Sequence, residues 1–198
     1  NIDKESQLEE IADQIENLTE SPLYEYRREN DYLPVIGEGD PNAEIMFIGE
    51  APGRREAESG RPFVGNAGQV LDELLASIDL ERKDVYITNI VKDRPPGNRD
   101  PRAKEIQLYA PFLLRQIVVI EPRIIVTLGR FATGFILTEY DLPQRDEKIG
   151  DLHGQVLEAE SSYGMVKILP LYHPAAAFYN RDLEEVMERD FRVLRQLG

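Results

Sequence analysis

Four short apolar runs constrain this chain more than anything else in it: Glu44-Ile-Met-Phe-Ile-Gly49, Asp84-Val-Tyr-Ile-Thr-Asn-Ile-Val91, Arg123-Ile-Ile-Val-Thr-Leu-Gly129 and Val166–Leu171. Each is too short for a buried helix and is followed by Gly, Pro or polar residues, the pattern of a strand covered on both faces. Between them apolar residues recur every three or four positions. Val70, Leu71, Leu74, Leu75 and Ile78 follow Asn66, a potential cap, and a long helix is expected from about Pro101 to Ile120, kinked at Pro111. A short helix over Arg130–Leu137, an edge strand over Gln155–Ala159 and a closing helix over 182–197 complete the series. Strands alternating with amphipathic helices, without internal repeat, make the fold class α/β: a parallel sheet with helices on both faces.

Ahead of the first strand, Leu8, Ile11, Ile15 and Leu18 mark one face of a helix over Ser6–Leu18 that Pro22 helps to end, and residues 23–43 read as an irregular connection. The 198 residues suit a single domain, with residues 1–33 as a helical segment packed on it. The sequence lacks the ~20 successive apolar residues of a membrane-spanning helix and a recognisable signal peptide, so a soluble, cytoplasmic protein is expected. It begins with Asn rather than Met, which leaves room for a short leader ahead of it. With no Cys and only two His, disulfides, thiolate metal sites, Cys nucleophiles and three-His zinc sites are excluded.

The net charge of −14 argues by itself against a polyphosphate partner. The charge is uneven, however. Residues 1–31 carry ten acids and three bases, whereas residues 81–104 carry seven bases and four acids. A basic island on an acidic body fits a small nucleic-acid footprint as well as an ordinary mixed-charge surface.

In a parallel sheet ligands sit beyond the carboxyl ends of the strands, which here are followed by Gly49–Gly65, Thr88–Arg99 and Tyr172–Asn180. Gly49-Glu-Ala-Pro-Gly53 is either a sterically required turn or a phosphate cradle, although the Walker and GxGxxG patterns are absent. Phe63 lies in a Pro- and Gly-bounded loop, where its ring can stack a base or fold back onto the core. Asn89 ends a buried strand, so its amide can pair with a base edge or tie two loops together. His173 follows the last buried strand and serves either structure or chemistry, while His153 reads as a surface residue.

Together GEAPG at 49–53, GRPFVGNAG at 60–68, TNIVKDRPPGNR at 88–99, LGR at 128–130 and YHPAA at 172–176 resemble the uracil-DNA glycosylase superfamily, most closely its family four. The resemblance implies a three-layer α/β/α sandwich with a central four-stranded parallel sheet, and an enzyme that flips deoxyuridine out of DNA and hydrolyses its N-glycosidic bond. Phe63 then resembles the ring that stacks on uracil, Asn89 the amide that reads its edge, and His173 the group that stabilises charge on the departing base. Glu50 and Ala51 resemble residues near the attacking water, in a turn that begins at Gly49 and ends at the small Gly53; Glu56 matches an acidic position beside base and sugar. Lys92, Arg94, Arg99 and Arg181 are the expected phosphate contacts, with Ala177 and Phe178 in the loop that enters the minor groove and Phe178 as its wedge.

Members of family four hold an iron–sulfur cluster on four cysteines, and the positions that match here are Leu18, Ser21, Asp93 and Tyr109. No cluster or other cofactor is therefore expected, and side chains should pack or pair in its place. The chain also lacks the basic insert of relatives that trap DNA covalently. A monomer acting on uracil-containing DNA is the leading expectation. Its alternatives are a glycosylase for hypoxanthine or xanthine, suggested by the small Gly53, and a noncatalytic DNA-binding relative, suggested by the missing cysteines and the acidity.

Overall fold

The computed structural model describes residues 3–198. In chain order its elements are α1 (Lys4–Glu16), α2 (Tyr24–Glu29), β1 (Glu38–Gly39), β2 (Ile45–Gly49), α3 (Arg54–Ser59), α4 (Asn66–Ser77), β3 (Tyr86–Asn89), α5 (Ala103–Ile120), β4 (Ile124–Leu128), α6 (Arg130–Glu139), α7 (Ile149–Leu152), β5 (Leu157–Ser161), β6 (Gly164–Leu171), α8 (Ala176–Tyr179) and α9 (Asp182–Leu197). The sheet runs β1-β3-β2-β4-β6-β5. Its inner four strands are parallel, as expected, and β1 and β5 add antiparallel edges.

Each inner strand is buried on both faces because the two-residue period sends alternate side chains into two cores. From β2, Met46 and Ile48 meet Leu113 and Ile117 of α5 and Ile136 of α6, whereas Phe47 meets Leu71 and Leu75 of α4 and Phe191 of α9. Three layers result. A third cluster (Ile11, Ile15, Leu23, Val91 and Tyr109) fixes α1 on the outside of α5. The backbone passes through Pro111 without ending α5.

The N-terminal connection departs from expectation. Residues 24–29 form a helix without an apolar face, because Arg27 turns inward: its Nη2 donates to the carbonyls of Ile15 and Glu16 at 3.3 and 3.2 Å, and its Nε lies 3.0 Å from Asp93 Oδ1. Tyr109 donates its hydroxyl proton to Asp93 and lies 2.7 Å from Ser21 Oγ, which accepts from the Leu23 amide at 3.1 Å. Ser21, Asp93 and Tyr109, all buried, thus form one network at positions that the resemblance matches to cluster cysteines, while Leu18 packs beside it. A cluster needs thiolates. A hydroxyl, a carboxylate and a phenol already bonded to one another do not fit one. Among the described residues no group of three or more His, Asp or Glu could hold a metal ion, and no helix is long and apolar enough to cross a membrane.

Candidate active site

In the parallel register Gly49 lies beside Asn89, so β2 and β3 deliver their last residues to the same edge. The chain leaves β2 toward β3 on one side and leaves its neighbour β4 toward β6 on the other, and a crevice opens where connections diverge in this way. A pocket of about 290 Å³ lies there, lined among others by Ala51, Gly53, Glu56, Phe63, Asn89 and His173.

Phe63 reaches this pocket in a left-handed backbone conformation, φ 49°, which costs a non-glycine residue on the order of 1 kcal/mol and needs outside support. Arg82 supplies it by donating to the carbonyls of Pro62, at 2.8 Å, and Phe63, while Glu38 holds the same guanidinium at 2.7 Å. Two glycines make room. A Cβ on Gly68 would overlap the Phe63 carbonyl, and one on Gly49 would stand 2.4 Å from Asn89 Oδ1 and 2.6 Å from Phe63 Cζ. The Asn89 amide and the Phe63 ring therefore converge over the bare Cα of Gly49.

His173 completes the group, its ring 5.7 Å from that of Phe63 and tilted by 31°. Nδ1 accepts the Ala175 amide at 3.1 Å, which leaves the proton of the neutral imidazole on Nε2. Desolvation pushes the pKa down to about 4, so at neutral pH the ring is an uncharged donor.

The acidic residues do different things. Glu56 is a brace: one carboxylate oxygen accepts from the Gly53 amide at 3.0 Å and the other from Val64 and Gly65 at 3.2 and 2.9 Å, tying the two glycine-rich loops together. Glu50 is half-buried beside the pocket and not among its lining residues. Burial raises its pKa to about 7, Asp100 adds to the rise by its charge and by a side-chain hydrogen bond, and Arg130 opposes it.

Two expected DNA contacts, Lys92 and Ala177, lie buried, and a third, Arg99, is partly exposed but paired. Lys92 is fully buried, with Nζ bonded inside the protein. Arg99 forms a two-pronged ion pair with the buried Glu105, both contacts 2.8 Å. Ala177 is also buried, since its position on α8 points into the core, whereas Phe178 is 52% and Tyr179 90% exposed. Arg181 is exposed, and Arg94 is held by Asn98 Oδ1 and the Tyr32 hydroxyl, each at 2.8 Å. His153 is not a simple surface residue: it bonds Asp190 at 2.8 Å and stacks on Tyr172.

The pocket also includes residues the sequence reading overlooked. Asn98 arrives in a left-handed conformation, φ 55°, for which the Pro-Pro-Gly-Asn turn was a usable signal. Arg54 and Arg55 enter with α3; Arg54 pairs with Glu58 at 2.8 Å, and Arg55 has no hydrogen-bonding or ion-pair partner among the described residues.

Comparison with known proteins agrees with this geometry. The family model of the uracil DNA glycosylase superfamily matches residues 36–195. The type-4 uracil-DNA glycosylase of Archaeoglobus fulgidus is 44% identical over 96% of this chain and 92% of its own. That of Sulfurisphaera tokodaii is 43% identical over 96% and 84%, and that of Thermotoga maritima 38% over 91% and 88%. With a family match across most of its length and relatives covered nearly end to end, this chain belongs to the uracil DNA glycosylase superfamily.

Proposed function

We propose that this protein is a monofunctional glycosylase that hydrolyses the N-glycosidic bond of deoxyuridine in DNA, releasing uracil and leaving an abasic site. The observation that carries the reading is the convergence of Phe63, Asn89 and His173 on one pocket at the end of β2 and β3. A base turned out of the duplex loses stacking worth a few kcal/mol, and the Phe63 ring offers a replacement surface. The Asn89 amide can meet a donor and an acceptor on the base edge. Water adds at C1′ as the C1′–N1 bond breaks, the bonding electrons leave with the base, and His173 Nε2–H stabilises the resulting anion, a contribution of roughly 3 kcal/mol. In this reading Glu50, beside the pocket and near half-ionised at neutral pH, accepts the proton of that water.

Arg55, Arg94 and Arg181 supply cations toward DNA, and Phe178 with Tyr179 supplies the wedge. One chain provides the whole pocket, so a monomer suffices; its place of work is the DNA-containing cytoplasm of a prokaryotic cell. No cofactor enters, because every step rests on side chains and water. The test is incubation with labelled oligonucleotides holding U·G, T·G or hypoxanthine·T, followed by alkali. Breakage at uracil supports the proposal; breakage only at hypoxanthine moves the substrate, and tight binding without breakage makes the protein a noncatalytic DNA-binding relative.

A further inference from the structure

Lys92 Nζ lies 2.6 Å from Thr88 Oγ1, 2.6 Å from Gln116 Oε1, 2.8 Å from the Asn89 carbonyl and 3.3 Å from the Ile36 carbonyl. An ammonium has three protons, and the three shortest contacts use them all. No carboxylate is among these partners, so nothing offsets the complete burial that drives the amine well below its ordinary pKa. The Ile36 carbonyl also accepts from Thr88 Oγ1 at 2.7 Å and Gln116 Nε2 at 2.9 Å. The segment before β1, the end of β3 and the middle of α5 are therefore tied at one point, and a carbonyl of Asn89 is part of the knot.

We infer that Lys92 is a positioning residue for Asn89, setting the place of the base-reading amide from behind through its backbone. The inference rests on the proposed role of Asn89. The tolerance is small, because Asn89 Oδ1 and Phe63 Cζ both pack against Gly49 so closely that a Cβ there would push them aside. Movement of the β3 end shifts the amide relative to the ring, and a misplacement of about 1 Å can cost on the order of a hundredfold in rate.

The test is Lys92→Met, with Thr88→Val as the milder second variant. Measured are single-turnover uracil release at saturating enzyme, the preference for uracil over cytosine, affinity for a duplex holding an abasic analogue across a salt series, and Tm. Lys92→Met is expected to release uracil about a hundredfold more slowly and lose base preference, with affinity and salt slope unchanged; Thr88→Val should lose roughly tenfold. Should Lys92→Met not fold, Thr88→Val decides. Wild-type rate and preference in folded variants would make Lys92 a stability element only and overturn the inference. Weaker DNA affinity with a salt slope reduced by about 1, at unchanged saturated rate, would make it a phosphate contact and overturn it equally. If the wild-type protein releases no uracil, the base-reading role of Asn89 falls first and takes this one with it.

Discussion

Two regions joined by residues 89–98 use polar side chains in opposite ways. At the pocket, Asn89, Asn98 and His173 face open space with hydrogen-bonding capacity to spare, held by Arg82, Glu56 and the absence of a Cβ at Gly49 and Gly68. A few residues on, Asp93 pairs with Arg27 and bonds Tyr109, which bonds Ser21, in a buried network closed to outside ligands. The first arrangement suits a ligand that brings its own partners. The second resembles a core, where breaking one member is costly and exchanging the whole set for apolar groups is not. Substitutions on the two sides should therefore separate activity from stability.

The largest expected separation comes from Gly49→Ala. The new methyl displaces the Asn89 amide and the Phe63 ring, both side-chain ends that can move, so the protein should fold while single-turnover uracil release falls about a hundredfold. On the other side, Arg27→Met strands a buried carboxylate and should lower unfolding stability by about 3–5 kcal/mol in urea titrations, with release per folded molecule unchanged.

A pH series sharpens the contrast further. If ionised Glu50 accepts the proton of water, the rate rises with pH and levels off above about 7, and Asp100→Asn moves that midpoint downward because a raising charge is removed. The same shift bears on stability with the opposite sense: the folded state holds the Glu50 proton more tightly than the unfolded chain, so this contribution weakens as pH climbs from about 4.5 to 7. His173 titrates near 4 and leaves the neutral range flat. The smallest effect belongs to Arg55→Gln, expected to raise KM severalfold at unchanged kcat and to reduce the salt slope of DNA binding by about 1.

Much of the fold was legible because it rests on local periodicity. The inner strands follow from apolar runs, α4, α5 and α9 from their repeats, and the pocket edge from the rule that parallel strands deliver their loops to one end. The site was legible where a residue directly follows a strand, as Asn89 and His173 do. What sequence could not show depends on distant partners. Residues 24–29 have no apolar stripe and are secured through Arg27 by carbonyls of α1 and by Asp93. Lys92 belongs to a basic island by charge, but its direction at the end of β3 takes it inward to Gln116, 24 positions away. Glu56 lines the pocket, but the backbone donors that hold its carboxylate come from two loops that only the fold brings together.

The most direct measurement is the single-turnover release of uracil from a duplex with one U·G pair, comparing wild type with Asn89→Ala and His173→Ala at equal Tm-corrected folded concentration. The account predicts release by the wild-type protein and a loss of about a hundredfold or more in each variant. Equal rates in all three would show that the converged amide and imidazole are bystanders, and would contradict it.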